Sequence, residues 1–545
     1  MNSYRFKYKV DGEVKIVYDT KENEDYLFDI FEDEHNLKIN IHSKKAIELI
    51  SFKYFIDREY DKDELIFLNG YQSWTDTKEC YLHQQLKDIR KTPKIVLKLF
   101  ALNEYGDSYL VDYKKHMLHG YTYSYIKGNN PIFIGSYNDS NAYLVIKHRI
   151  SQKKMELYSD IRNYHLDGTF PILNVYFNKD IELGTKTYFD KFKCDALPLR
   201  GYTTWYNYYQ NIDEKKIYEN LQALDSKHFD LFQIDDGYQT YVGDWLDINQ
   251  TKFPNGLKEI VENVHKKGLK AGLWLSPFVG ETKSKLFREH NDWFAKKNGE
   301  LIKCGSNWSG FYSLDFTKAE VREYIKEVFN HYIDMGFDFF KLDFLYVLSK
   351  CEYDNYTHAS ILHEGLSFIR EITKGKLLLF CGVPLGTAFN LCDYCRIGPD
   401  VSLQFDDKID PVYRNMMHRE RISTKISIQN TLYRHHLNGK VFLNDPDVYI
   451  LRNKNNYLNR NQKIALATIN ILYGDLIMTS DNVATYDDKK LSFIESLYEL
   501  KTQIERKEVN RCNNYIECSL YLKNGEELKF NYYFKRGKLK WINHL

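Results

Sequence analysis

Several features are missing from this 545-residue sequence, and each absence removes a class of function. There is no excess of charge: 76 Lys and Arg stand against 75 Asp and Glu, a net of +1. Such a balance predicts neither a nucleic-acid surface nor an anionic membrane partner. No run approaches the roughly 18 apolar residues of a membrane helix. The opening Met1-Asn2-Ser3-Tyr4-Arg5-Phe6 has no apolar signal core. The nine cysteines are odd in number and scattered. Cys392 and Cys395 make a CxxC, but no second pair or histidine pair completes a zinc site, and no thioredoxin-like turn surrounds them. The expectation is reduced thiols in a cytoplasmic protein with no metal and no cofactor. There is no fixed-period repeat or low-complexity tract. Four Asn-x-Ser/Thr matches, at Asn138, Asn249, Asn307 and Asn355, carry little weight without a secretion signal.

What is present is length, aromatic side chains and two informative segments. The length predicts two or three domains. Aromatics make up 16% of the chain, which suits core packing and is compatible with sugar stacking. Residues 1–195 pattern as all-β, with strands expected at Lys94–Phe100 and Ala142–Ile146 between Asn, Asp and Gly turns. A boundary is expected near Leu197-Pro198-Leu199-Arg200-Gly201. From there strands and helices alternate. Strands are expected at Gly201–Tyr209, Leu231–Asp235, Lys270–Leu275, Phe337–Asp343, Leu377–Cys381, Asp393–Ile397, Val441–Asn444 and Leu476–Thr479. Helices are expected at Ile212–Ser226, capped by Asp213, at Gly256–Lys267, at Lys318–Met335 ending on Gly336, at Pro411–His436 and at Arg460–Leu472. Eight strands in near-strict alternation predict a (β/α)8 barrel over residues 196–490. Residues 491–545 return to β alternation, with strands at Tyr515–Leu522, Leu528–Phe534 and Leu539–Ile542.

In such a barrel the residues at the C-terminal strand ends face the active site. Two of those ends are Phe339-Phe340-Lys341-Leu342-Asp343-Phe344 and Asp393-Tyr394-Cys395-Arg396-Ile397-Gly398-Pro399-Asp400. Each delivers a carboxylate, Asp343 or Asp400, with a cation, Lys341 or Arg396, two or four residues before it. An isolated Asp at a strand end more often caps the next helix. Two of them with fixed cations in one barrel form the acid pair that glycoside hydrolysis requires. Asp235 and Asp236, at the tight turn of Gly237, are placed to accept hydrogen bonds from neighbouring hydroxyls of a sugar. Trp205, Tyr206 and Trp274 fall on the same face, suited to stacking on a ring. Cys381 is small and expected to shape the pocket floor.

At these residues the chain resembles glycoside hydrolase family 36, the retaining α-galactosidases, and more distantly family 27. The likeness runs in order through Asn69-Gly70-Tyr71-Gln72-Ser73-Trp74, Gly201-Tyr202-Thr203-Thr204-Trp205-Tyr206, Phe232-Gln233-Ile234-Asp235-Asp236-Gly237-Tyr238 and Gly243-Asp244-Trp245. It continues through Gly272-Leu273-Trp274, Tyr312-Ser313-Leu314-Asp315-Phe316-Thr317, Lys341-Leu342-Asp343, Arg396 to Asp400, and Asn444-Asp445-Pro446-Asp447. The resemblance implies an N-terminal β-supersandwich (1–195), a catalytic (β/α)8 barrel (196–490) and a short C-terminal β domain (491–545). It implies Asp343 as nucleophile and Asp400 as general acid/base. Asp235 and Asp236 would hold the galactose 4- and 6-hydroxyls. Trp205, Tyr206, Trp274, Lys341, Cys381 and Arg396 would line the subsite, and Trp74 would close its rim. The implied partners are α-galactoside oligosaccharides. Relatives within the resemblance would instead act on α-N-acetylgalactosaminides or transfer galactose, as the raffinose-synthase branch does. A non-catalytic sugar-binding protein would be expected to lack one carboxylate, and both are present. The oligomeric state is not legible from the residues.

Overall fold

The computed structural model describes residues 3–297, 299–406 and 418–543. Its first 178 residues build two seven-stranded antiparallel sheets. The strand Ser3–Val10 alternates buried and half-buried residues along its length, the period-two pattern of a sheet with one covered face. The two sheets meet across an aromatic core: Phe6 of one lies 5.2 Å from Phe28 of the other, ring to ring, among Tyr8, Tyr26 and Phe52, all buried. The expected strand at Ala142–Ile146 is present as Tyr143–Arg149.

The other strand expected in this region is not. Residues Lys94–Phe100 form an α-helix ending on Ala101 at φ 49°. Its apolar run fits either period, and Pro93 decides for a helix by supplying a preset φ of −54° at its start. Leu97 is buried with Leu102 and Ile89, while Ile95 on the other side is 78% exposed.

The second sheet system is parallel. Its strands are β1 (Leu199–Thr203), β2 (Leu231–Ile234), β3 (Lys270–Leu275), β4 (Phe339–Leu342), β5 (Leu377–Phe380), β6 (Tyr394–Arg396), β7 (Leu443–Asp445), β8 (Val448–Tyr449) and β9 (Leu476–Thr479). Their order in the sheet is β7-β6-β5-β4-β3-β2-β1-β9-β8. The two edge strands, β7 and β8, are separated only by Pro446 and Asp447, so the sheet curls until its ends meet in one segment. Asp447 takes φ 73°, which lets the chain kink between pairing one neighbour and pairing the other.

Helices occupy the intervals as the caps predict. Asp213 accepts from the Lys216 amide at 2.9 Å to start Glu214–Ala223. Gly336, at φ 108°, ends Ala319–Met335. The strand expected over Gly201–Tyr209 stops at Thr203, and Trp205–Tyr208 is a helical turn. Thr204 has αR backbone angles, and its hydroxyl accepts from the Asp235 amide at 3.0 Å. Of the expected helix Pro411–His436, residues 411–417 lie outside the described residues. The observed helix is Thr424–Tyr433, started by Ser423, whose hydroxyl accepts from the Ile426 amide.

The end of the chain is a four-stranded antiparallel sheet, Ile504–Arg511, Ile516–Leu522, Glu527–Tyr533 and Lys538–Trp541. Its first strand has no sequence signal because, apart from Val509, it buries none of its residues. The helix Asp488–Gln503 runs straight through position 490/491, so no structural break falls there.

Candidate active site

β4 ends at Leu342, and the Asp343 amide extends its register by donating to the Leu275 carbonyl at 2.9 Å. The Asp343 carboxylate accepts from the Phe344 amide at 2.9 Å and from Trp274 Nε1 at 3.1 Å. Burial pushes this carboxyl up to about 6; Lys341 opposes the shift and Asp400 adds to it. The Lys341 ammonium, two residues before it, favours the ionised form, but its hydrogen bond goes elsewhere, to Asp235 Oδ2 at 2.8 Å, and burial outweighs its pull on Asp343.

Asp235 and Asp236 follow β2, both 2% exposed. Asp235 Oδ2 also accepts from Gln233 Nε2 at 2.8 Å, and its Oδ1 from the Asp236 amide at 2.9 Å. Asp236 is gripped by three donors, Gln239 Nε2 at 2.6 Å, Gln210 Nε2 at 2.8 Å and Trp308 Nε1 at 2.9 Å. Burial nevertheless raises the Asp236 carboxyl above the usual range.

At β6, Arg396 serves three carboxylates at once. Nη1 reaches Asp400 at 2.8 Å, Nε reaches Asp445 at 2.7 Å and Nη2 reaches Asp447 at 3.1 Å. One guanidinium therefore ties the end of β6 to both sides of the kink between β7 and β8. Asp447 also accepts from Tyr206 Oη and, at 2.7 Å, from the Val401 amide next to Asp400. Burial pushes its carboxyl up to about 7 against Arg396.

These groups surround one cavity of about 680 Å³. Trp74, Trp205, Tyr206, Asp235, Asp236, Trp274, Lys341, Asp343 and Asp400 all line it. Cys381 and Arg396 do not: Cys381 is 1% exposed at the end of β5 and Arg396 lies behind Asp400, so both support the wall rather than form it. Trp74 arrives from the N-terminal sheets and packs over Gly382, where an added Cβ would lie 2.8 Å from the indole. The segment bearing Trp74 is held by Arg434, which donates to Asn69 Oδ1 at 3.1 Å and to the carbonyls of Gly70, Gln72 and Ser73 at 3.4, 3.1 and 2.6 Å. The same guanidinium donates to the Ile397 carbonyl at 2.8 Å.

The cavity also has walls that sequence reasoning missed. Trp308 sits in an excursion after β3 built on a three-stranded sheet of Val279–Glu281, Lys303–Gly305 and Phe311–Ser313. Its ring centroid lies 6.1 Å from that of Trp274. A tryptophan between Gly305 and Gly310 was the available signal. Leu102, Tyr105 and the segment His418 to Ile422 complete the mouth. Those residues carry no motif; they are brought there by folding alone. Among the described residues no helix is long and apolar enough to cross a membrane.

The family model described as Melibiase matches residues 187–366. Alpha-galactosidase 1 of Pediococcus pentosaceus is 26% identical over 214 residues, 35% of this chain and 28% of that protein. An A type blood α-D-galactosamine galactosaminidase of Flavonifractor plautii is 32% identical over 155 residues, 26% of this chain and 14% of that protein. The chain thus aligns with less than a third of the length of these curated relatives. An α-galactosidase of Thermus thermophilus, solved with p-nitrophenyl α-D-galactopyranoside, has the same fold at a TM-score of 0.71 and 22% identity, covering 96% of this chain and 98% of that one. The resemblance to glycoside hydrolase family 36 read from the motifs is borne out by these relatives.

Proposed function

We propose that this chain, a relative of the melibiase-type family 36 glycoside hydrolases, is a retaining exo-α-galactosidase that removes terminal α-linked galactose from oligosaccharides. The observation that carries the reading is the convergence of Asp343, Asp400, Asp235 and Asp236 on one tryptophan-lined cavity. In this reading the curled parallel sheet is a (β/α)8 barrel closed through the β7–β8 segment. It stands between the N-terminal sheets and the C-terminal sheet as three domains, in the order the sequence suggests. Nine free cysteines suit a reducing, cytoplasmic setting.

Asp343, ionised, attacks the anomeric carbon while Asp400 protonates the departing oxygen, giving a covalent galactosyl-enzyme. Water, deprotonated by Asp400, then releases galactose with its configuration retained. The Phe344 amide and Trp274 Nε1 aim the Asp343 oxygens and stabilise their charge. Asp235 and Asp236 accept from the sugar's 4- and 6-hydroxyls, and their existing donors fix which lone pairs stay free. The acetamido group of an N-acetylgalactosaminide would need room beside Cys381 to Pro384. Trp74 packs against Gly382 at that place, which favours galactose.

Asp343→Ala is expected to abolish cleavage of an aryl α-galactoside, with azide restoring turnover as the β-galactosyl azide. Proton NMR of the first product of the wild-type chain should show the α-anomer. Near-normal activity in the variant, or a first-formed β-anomer, would sink the assignment.

A further inference from the structure

The outer face of the first N-terminal sheet holds a second concave site, on a different part of the molecule from the sugar cavity. It is a groove of about 280 Å³ lined by seven Lys and Arg side chains and one acid, Asp112. Asp112 is itself engaged by Arg90 Nη1 at 3.0 Å. The cations come from neighbouring strands whose register places them side by side. Arg5 stands directly opposite Lys53, a like-charge pair that costs stability in a sheet. Beneath them one fully buried carboxylate, Glu156, is shared by Lys53 at 3.5 Å, Lys147 at 3.4 Å and Arg149. One negative charge facing three positive ones leaves the cluster under-neutralised.

Two further observations point to an anion site. Arg5 Nε and Arg162 Nη2 are buried with no hydrogen-bond partner among the described residues. Buried guanidinium donors are normally paired, since a donor withdrawn from water without a partner carries its full desolvation cost. Lys147, 6% exposed, is drawn down to about 8 by burial, with Lys53 and Arg149 adding to the shift against Glu156. An incoming anion would relieve both the unpaired donors and the mutual repulsion.

We propose that this groove binds a compact oxyanion carrying at least two charges, a phosphate or the phosphate of a small ester. Guanidinium groups match the planar faces of such an anion, and lysines add point charge around it. The volume suits a small molecule rather than a polymer. This reading is independent of the chemistry proposed for the sugar cavity.

The test is calorimetric titration of the full chain with inorganic phosphate and, separately, with a hexose 6-phosphate, at 50 and 300 mM NaCl. Binding is expected to weaken at least about threefold at the higher salt, because exposed parts of the site are screened. The double variant Arg5→Gln/Lys53→Gln is expected to lose at least about tenfold in affinity, which is about 1.4 kcal/mol. The same variant should melt at least as high as the parent chain in anion-free buffer, since it removes the opposed pair. Tighter binding of the hexose phosphate assigns the site to an ester, and tighter binding of phosphate assigns it to the free ion. Absence of binding by the parent chain, or equal binding by the variant, overturns the proposal. A self-association that the variant abolishes, with no anion bound, also overturns it by giving the face to a second copy.

Discussion

Lys341 donates to Asp235 at 2.8 Å and in doing so connects the two halves of the tryptophan-lined cavity. It stands one residue before the end of β4, two before Asp343, and reaches across to the turn after β2. Burial works against its charge, but Asp235 holds the ammonium protonated well above the ordinary lysine value. One cation therefore stabilises a proposed hydroxyl acceptor by contact and the proposed nucleophile through its field.

Removing it should separate these roles. Lys341→Met leaves Asp235 buried without its cation and raises the Asp343 pKa further, because Lys341 lowers it in the parent chain. In the parent, Asp343 at about 6 would have to lose its proton to act as the proposed nucleophile. The kcat/KM profile of the free enzyme is thus expected to rise through pH 6 and to be about tenfold below its plateau at pH 5. In the variant this acid limb should move to higher pH, with kcat/KM on the plateau down at least about a hundredfold, or about 2.7 kcal/mol. A pH–rate profile on an aryl α-galactoside measures both. An acid limb that stays in place would show that Lys341 does not act on Asp343.

Arg434 is fully buried, and its guanidinium donates to uncharged oxygens, the Asn69 side chain and the carbonyls of Gly70, Gln72, Ser73 and Ile397. Burial draws its guanidinium down to about 10, still charged at neutral pH. Its donors bind the segment from Asn69 to Ser73 to the loop after β6. Arg434→Lys keeps the charge but loses the fork, so several carbonyls lose their donors. The expected result is a loss of about 2–4 kcal/mol in stability, together with a rise in KM as Trp74 loses its placement. Denaturant unfolding and steady-state kinetics on the same preparation test it; unchanged KM in a destabilised variant would confine Arg434 to folding.

Trp308 supplies one of the three donors to Asp236. Trp308→Phe keeps an aromatic wall and deletes the indole N–H. Asp236 would then present a less fixed oxygen to the sugar, and KM is expected to rise about tenfold, or about 1.4 kcal/mol, with a smaller change in kcat. A fall in kcat at constant KM would move Trp308 from sugar binding to transition-state stabilisation.

The strand ends were legible because buried parallel strands are written as short apolar runs, and a charged residue at such an end is conspicuous. Lys270–Leu275 and Leu476–Thr479 appear with the expected bounds. Lys94–Phe100 was misread because seven residues satisfy both periods and Pro93 alone discriminates. Ile504–Arg511 was missed because a nearly unburied strand has no apolar alternation. Trp308 and the His418 to Ile422 wall lie in long excursions whose course no local pattern specifies. Balanced composition likewise concealed the basic groove, since a net charge of +1 says nothing of how strand register gathers cations on one face.

Hydrophobic runs and turn residues set the ends of the parallel strands locally, so the residues that stand there can be read from the chain, and with them the shared face of Asp235, Asp236, Asp343 and Asp400. Whom each cation serves is settled by contacts between distant segments. Lys341 turned to Asp235, Arg396 divided itself among Asp400, Asp445 and Asp447, and Arg434 brought Trp74 from more than three hundred residues away. The reason is physical: strand formation follows from a few neighbouring side chains, whereas the pairing of buried charges depends on distances that exist only after the sheet has curled.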